Sequence, residues 1–384
     1  MLPDIEITNK WGIVPTERKE SHMKVLWNKI KNWLNTNNHL LWVSIIALVA
    51  LGLLGMYFIG PYQAARGNFG SNIFFNKFWP FALVGTVIML AFSKLSKKWV
   101  IRISWILGII GLLLIIKTII DPTIIKGSAR WVNIGSAYID PFMMSLPAYI
   151  VLMSHWLSKE KQNKTWTTIG TSALTLFIIW AALIAPYVFM SQIYLLLFFI
   201  LTFKARKDNS AAFKVGMIAL ISFVALFVLA IWQLPHVHTR IYLMFHPQRY
   251  SQTWIALQAL ANSAIIGNTT ESLHWLATLP DSISDYMFTS MIAKFGMLMG
   301  LLIIALYGCL AKGLTNAIRN TKDKFSKLMT TGTLGLLAIF VFMGLAVTFG
   351  ILTTAAYWPM ISFGGTMFLA WCVLFGFVLA VNRK

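Results

Sequence analysis

Apolar residues gather in long runs separated by short polar breaks. The runs are Leu41 to Gly60, Trp79 to Leu95, Trp99 to Ile120, Phe142 to Leu157, Trp166 to Ala185, Tyr187 to Phe203, Val215 to Leu234, Tyr286 to Leu310, Thr331 to Ala356 and Phe363 to Val381. Crossing the hydrocarbon core of a bilayer takes about 20 apolar residues in a helix. Gly and Pro interrupt several runs, which a helix in a bundle tolerates when its neighbours re-satisfy the freed backbone groups. The pattern predicts an all-α polytopic membrane protein of ten transmembrane helices. The first run follows a polar, charged tail and has no small-residue cleavage pattern behind it, so it reads as a retained helix rather than a signal peptide. The predicted organisation is a tail over 1–40 and a ten-helix domain over 41–384.

Composition supports that solvent assignment. Of 384 residues, 58% are hydrophobic and 11% charged, more apolar surface than a soluble fold can hide. The formal net charge of +20 would point to nucleic acid in a soluble protein. Here 24 of the 32 Lys and Arg lie in the N-terminal tail, in every second connection and at the C-terminus, against six in the other connections (Arg66, Lys77, Lys126, Arg130, Arg240, Arg249) and two inside apolar runs (Lys117, Lys294). Cytoplasmic loops carry the excess of Lys and Arg, so both termini are expected on the cytoplasmic side of the cell membrane, and no nucleic-acid partner is implied. In the tail, Leu26, Ile30, Trp33 and Leu34 share one helical face. That segment, Met23 to Leu34, is either a short helix on the inner membrane surface or a basic flank that sets topology.

Two outward connections are long: 121–141, and the large loop 235–285 between helices 7 and 8. Long ordered loops are more often functional than idle, and these two hold Asp121, Asp140, Glu271, Asp281, Asp285 and four of the seven histidines. The histidines lack the helix-spaced pairing of a metal motif, so no metal site is expected. Cys309 and Cys372 both fall in apolar runs and read as packing thiols.

Within these loops and the last connection stand Lys126-Gly-Ser-Ala-Arg-Trp-Val-Asn-Ile-Gly135, Leu279-Pro-Asp-Ser-Ile-Ser-Asp-Tyr-Met-Phe288 and Pro359-Met-Ile-Ser-Phe-Gly-Gly-Thr366, with Pro247-Gln-Arg-Tyr-Ser-Gln252 before the second. Together, in order and spacing, they resemble the motifs of the SEDS family of shape, elongation, division and sporulation proteins, whose members are FtsW-, RodA- and SpoVE-like. The resemblance runs from about Leu41 to the C-terminus and implies a SEDS-type bundle. It further implies a peptidoglycan glycosyltransferase that polymerises lipid II at the outer face of the cytoplasmic membrane, partnered by a class B penicillin-binding transpeptidase and bathed in membrane lipids. Asp285 matches the family's essential aspartate, Arg130 and Trp131 its Arg-Trp pair, and Ser362, Gly364 and Gly365 its signature before the last helix.

The chemistry asks for such groups. A sugar on a polyprenyl diphosphate leaves behind two phosphates, and a guanidinium can clamp a phosphate bidentately. Arg130 is the best-placed cation, with Lys126, Arg240 and Arg249 behind it, and Gln252 belongs to the same candidate substrate-binding set. The acceptor hydroxyl needs a general base, and a carboxylate within hydrogen-bonding reach can serve; Asp285 is that candidate. Without the resemblance, Asp285 reads as a helix cap and Trp131 as an interfacial anchor. No cofactor is required, although a divalent cation could bridge the diphosphate.

Two departures stand out. The family begins its fourth helix S-E-L-A-K after the proline, whereas this chain reads Phe142-Met-Met-Ser-Leu146, so the carboxylate at position 143 and the ammonium at 146 are absent. Where the family has G-E-E-L-G, Lys294 reverses the sign. It lies nine residues beyond Asp285, about 13 Å along a helix. These losses leave open a non-catalytic paralogue scaffolding a transpeptidase through small residues such as Gly332, Gly335 and Gly344; the other alternative, which the resemblance also allows, is a transporter of the lipid-linked precursor, although the runs hold no chain of carboxylates for a polar path.

Overall fold

The computed structural model describes residues 39–125, 128–135, 137–159, 164–185, 187–205 and 251–383 apart from 354 and 355, with single residues between 217 and 249. Twelve helices run through the described residues: α1 (His39–Arg66), α2 (Ile73–Phe92), α3 (Lys97–Ile120), α4 (Pro141–Ser158), α5 (Lys164–Ile184), α6 (Val188–Ala205), α7 (Gln252–Ala261), α8 (Thr270–Thr278), α9 (Met287–Phe295), α10 (Met297–Asn320), α11 (Lys324–Thr348) and α12 (Gly365–Val381). Six of them, α1, α2, α3, α6, α10 and α11, are long and apolar enough to cross a membrane. The chain is an all-helical, multi-span membrane protein at the scale of its spans. The tail helix of Met23 to Leu34 and nearly all of the seventh run lie outside the described residues.

At the centre stands α4, buried along almost its whole length and enclosed by α3, α6, α11 and α12. Several of its polar side chains are paired inside the bundle, as a hydrocarbon interior favours. Ser145 Oγ and Tyr194 Oη share a hydrogen bond of 2.8 Å, Tyr194 donates to the Phe142 carbonyl, and Tyr149 Oη pairs with Thr175 Oγ1 on α5. By contrast α2 and α3 turn Trp79, Val87, Trp105, Ile106 and Leu113 outward, each at least 41% exposed. Such a surface would aggregate in water; against lipid it is solvated.

Glycines set the closest approaches. A Cβ on Gly344 of α11 would lie 2.7 Å from the Trp358 ring, and one on Gly332 or Gly335 would press on Ile150, Leu201 or Ile200. These three residues, expected as a docking stripe, pack inside their own chain.

The two sets of connections segregate. At one end Lys97 of α3 bridges Asp323, the N-cap of α11, at 2.7 Å, and Thr321 bonds to Asn382 after α12. These residues belong to the connections expected on the cytoplasmic side. At the other end lies a small antiparallel sheet, β1 (Thr123–Ile125), β2 (Ser128–Ile134) and β3 (Ala137–Ile139) in that order. Trp131 pairs with Thr123 and Val132 with Ile139, and Gly135, at φ +65°, makes the β2–β3 turn.

Three expectations are corrected. The all-α reading missed this sheet, whose strands are too short to show a period. The run from Tyr286 to Leu310 is not one helix: it breaks at Gly296, at φ +97°, where a Cβ would meet the Ile265 carbonyl at 2.6 Å. The loop before α8 inserts there, its Ala264 and Ile265 carbonyls accepting from the Met297 and Leu298 amides. Of the two cysteines only Cys372 is buried; Cys309 is exposed on α10. Lys117, within a predicted span, reaches out to Asp121 at 2.8 Å near the end of α3.

Candidate active site

Asp285 sits in a run of turns, 281–286, that delivers the chain into α9. The N-cap of α9 is Tyr286, with no side-chain capping bond, so Asp285 does not occupy the capping position. The turn is fastened on two sides. From α1, Gln63 Oε1 accepts from Ser282 N at 3.3 Å and Ser282 Oγ at 3.1 Å. From the segment before α12, Ser362 Oγ donates to the Ser284 carbonyl at 2.8 Å, and Phe363 N donates to the Ile283 carbonyl at 2.8 Å. Asp281 adopts φ +52° to start the turn and accepts from Ser284 N and Tyr286 N.

The segment holding Ser362 is itself clamped. Trp358 stacks on Phe288 at 4.3 Å, and Tyr307 of α10 donates to the Pro359 carbonyl at 2.6 Å. Trp358 N donates to Ser362 Oγ. Met360 is fully buried at φ +69°, a left-handed conformation costing about 1–2 kcal/mol for a residue with a Cβ. Its carbonyl lies where a Cβ on Gly52 of α1 would be, 2.7 Å away. The backbone is held in this strained turn by packing on both sides.

Arg130 approaches from β2. Its Nη2 donates to Tyr357 Oη at 3.1 Å, and its guanidinium lies 4.4 Å from the Tyr187 ring centroid and 5.0 Å from that of Trp131. Such stacking suits the planar guanidinium. Arg130 Nε is buried without a hydrogen-bond partner. Burial works against the Arg130 charge, but Tyr187, Tyr357 and the carboxylates of Asp140 and Asp285 outweigh it, and its pKa is held above the ordinary arginine value.

The described residues thus bring Asp285, Arg130, Trp131 and Ser362 to one end of the bundle. Gly364 is the N-cap of α12, and Gly365 opens that helix against Phe81 of α2, where a Cβ would come within 2.8 Å. Gln252 is an exposed residue at the start of α7, after the Ser251 cap, and Arg249 is exposed in a turn. Lys126 and Arg240, with His236, His238 and His246, lie outside the described residues. Lys294, near the end of α9, donates to Tyr62 of α1 at 3.1 Å. Sequence reasoning missed Gln63, Tyr187 and Tyr357. Each is a single polar residue at the end of an apolar run, a place where interfacial residues are common.

Met143 and Leu146 are 2% and 3% exposed and line a small apolar pocket with Leu336, Met367, Trp371 and Leu374. Among the described residues no three His, Cys, Asp or Glu side chains converge as metal ligands.

Comparison with known proteins gives the site its context. The family model described as "Cell cycle protein", for FtsW, RodA and SpoVE, matches residues 38–384. A probable peptidoglycan glycosyltransferase FtsW of Caulobacter vibrioides is 26% identical over 92% of this chain and 90% of its own length. Stage V sporulation protein E of Bacillus subtilis is 23% identical over 90% and 96%. Among solved structures, a chain of a peptidoglycan synthase complex that coordinates polymerization and crosslinking superposes with a TM-score of 0.71 at 20% identity, covering 89% of this chain and 96% of that one. The rod shape determining protein RodA of Thermus thermophilus gives a TM-score of 0.65 at 18% identity, covering 89% and 95%.

Proposed function

The chain belongs to the FtsW/RodA/SpoVE family, and from that premise we propose that it is a peptidoglycan glycosyltransferase polymerising lipid II at the outer face of the cytoplasmic membrane. In this reading ten helices span the membrane with both termini inside, and the end that carries the sheet faces out. The observation that carries the proposal is that Arg130 reaches Tyr357, in the same segment whose Ser362 fastens the turn of Asp285 through the Ser284 carbonyl, so that Arg130 and Asp285, 155 apart in sequence, come to one end of the bundle.

The reaction follows from the groups present. The acceptor sugar hydroxyl attacks the anomeric carbon of the donor, and the bond from that carbon to the polyprenyl diphosphate breaks. The diphosphate leaves with the electron pair, and the hydroxyl proton passes to Asp285. Arg130 stabilises the charge that develops on the leaving group, its unpartnered Nε offering a further donor to a phosphate oxygen. Ser362 holds the Asp285 turn in place through the Ser284 carbonyl, while Arg249 and Gln252, and Lys126 from outside the described residues, are the remaining candidates for binding substrate. A class B penicillin-binding transpeptidase is the expected partner.

Two observations count against the alternatives. The glycines offered for scaffolding are occupied by their own chain's Ile150, Ile200, Leu201 and Trp358. Lys117, one of the two cations inside the apolar runs, turns to Asp121 at the end of α3 rather than across the bundle.

The test is direct. Protein purified in detergent, alone and with a transpeptidase, is given labelled lipid II, and the products are separated on a gel beside an Asp285→Ala variant. Glycan ladders that vanish in the variant are expected. Lipid II that binds under every pairing and never forms ladders would overturn the enzyme.

A further inference from the structure

Gly52, Gly55, Ile59, Tyr62 and Arg66 recur along α1 at intervals of three and four residues. That spacing puts them on one face of a helix. A Cβ at Gly52 would strike the Met360 carbonyl, and one at Gly55 would strike the Met287 side chain of α9, while Ile59 is fully buried. This face therefore lies against both segments of the candidate site, the turn before Ser362 and the helix after Asp285.

Toward the C-terminal end of α1 the contacts turn polar. Arg66 Nη1 donates to the Thr278 carbonyl at 2.6 Å. Thr278 is the last residue of α8, where carbonyls lack an intrahelical partner and a cation suits the helix dipole. Gln63, beside this face, offers one oxygen to both the amide and the hydroxyl of Ser282. A backbone amide only donates, so the Gln63 carbonyl oxygen, and not its NH2, faces the turn. Ser282 is 1% exposed. Without Gln63 both of its donors would be buried and unmatched, and the turn would have to shift to satisfy them. Lys294, in the last turn of α9, donates to Tyr62 Oη at 3.1 Å, with its ammonium 5.2 Å from the ring centroid. An ionisable residue in an apolar segment calls for a named partner, and Tyr62 is that partner.

Thr278 stands seven residues before Asp285, Ser282 three before and Lys294 nine after. Three residues from the last two turns of one helix thus hold the segment at both of its ends and next to the acid itself. Tyr62, Gln63 and Arg66 stand in none of the motifs. We propose that the C-terminal end of α1 is a three-point clamp on the Asp285 segment, with Tyr62, Gln63 and Arg66 as positioning residues. Gln63 matters most, because its oxygen meets the turn that carries the acid. The effect on catalysis rests on the glycosyltransferase reading above; the clamp does not.

The experiment uses full-length protein in detergent and has two readouts. In the first, melting temperatures are compared for Gln63→Met, Ser282→Ala and their double variant, and for Tyr62→Phe, Lys294→Met and theirs. Each double variant is expected to lose less than the sum of its singles; additive shifts in either pair overturn the clamp. In the second, lipid II turnover is measured per folded protein, over a range of substrate, so that lost stability does not count as lost rate. Gln63→Met should lower kcat roughly tenfold with KM little changed. Gln63→Glu keeps an accepting oxygen at the same reach and should stay within about twofold of wild type. A Gln63→Met protein that turns over at the wild-type rate, or a loss that Gln63→Glu does not spare, overturns the positioning role. Non-additive melts from a protein that never makes glycan would sink the proposed function and leave the clamp standing.

Discussion

At one end of the bundle Lys97 and Asp323 meet in the open, 44% and 45% exposed and 2.7 Å apart. At the other, Arg130 lies against Tyr187, Trp131 and Tyr357, with Asp140 buried at the start of α4 and Asp285 in its turn at the same end. The charge types are alike and their settings are opposite. Water screens the first pair, and exposed ion pairs contribute little to stability. In the second region, burial strengthens every interaction and penalises every missing partner. The sheet, the strained Met360 turn and the Ser362 bonds hold these partly or fully buried residues in place.

Substitutions at the two ends should differ accordingly. The largest effect is expected from Asp285→Asn, which is isosteric and cannot take a proton: polymerisation should drop at least roughly a hundredfold with an unchanged melt, and retained activity would place the base elsewhere. Next comes Arg130→Lys, which keeps the charge and loses the planar fork. Roughly tenfold less polymer is expected, and wild-type rates would show that any cation serves there. Ser362→Ala removes the bond to the Ser284 carbonyl and the acceptor for Trp358 N. It should cost about 1–3 kcal/mol of stability, read by denaturation in detergent; no loss would mean that Gln63 and the Phe363 amide hold the turn without it.

The smallest effect belongs to the exposed pair. Burial is the largest single influence and pushes the Asp323 pKa up, but the Lys97 and Ser326 hydrogen bonds together prevail and hold it below the ordinary aspartate value. A depressed carboxylate stabilises fully above its unfolded pKa, and that stabilisation is lost as pH falls through the lower folded value. Lys97→Ala should therefore cost less than about 1 kcal/mol near neutrality, with the difference from wild type shrinking as the pH of the melt falls below the ordinary carboxylate range. A larger cost would show that the two ends are not as different as their exposure suggests.

Much of this contrast was legible in the sequence. Asp285, Arg130, Trp131 and Ser362 stand in motifs, and the alternation of Lys- and Arg-rich connections separated the ends before any coordinates. The break at Gly296 was not, because Met287 to Leu310 is apolar enough to read as one helix and only the inserted loop 264–267 demands the kink. Asp140 was counted as an outward acid and given no role: one carboxylate beside a proline shows neither its burial nor its neighbours. Tyr187 and Tyr357 carry no local pattern, since what makes them part of the site is contact with a strand more than 50 residues upstream.

The bond from Ser362 to Ser284 joins positions 78 residues apart, and this fixes a chronology. A nascent chain contains Asp285 well before it contains the segment that steadies it. The two hydrogen bonds from 362 and 363 can close only once the stretch leading into α12 has been synthesised and seated. Biogenesis therefore finishes the site last, and a chain that stops short of Ser362 carries its acidic residue in a turn braced from α1 alone.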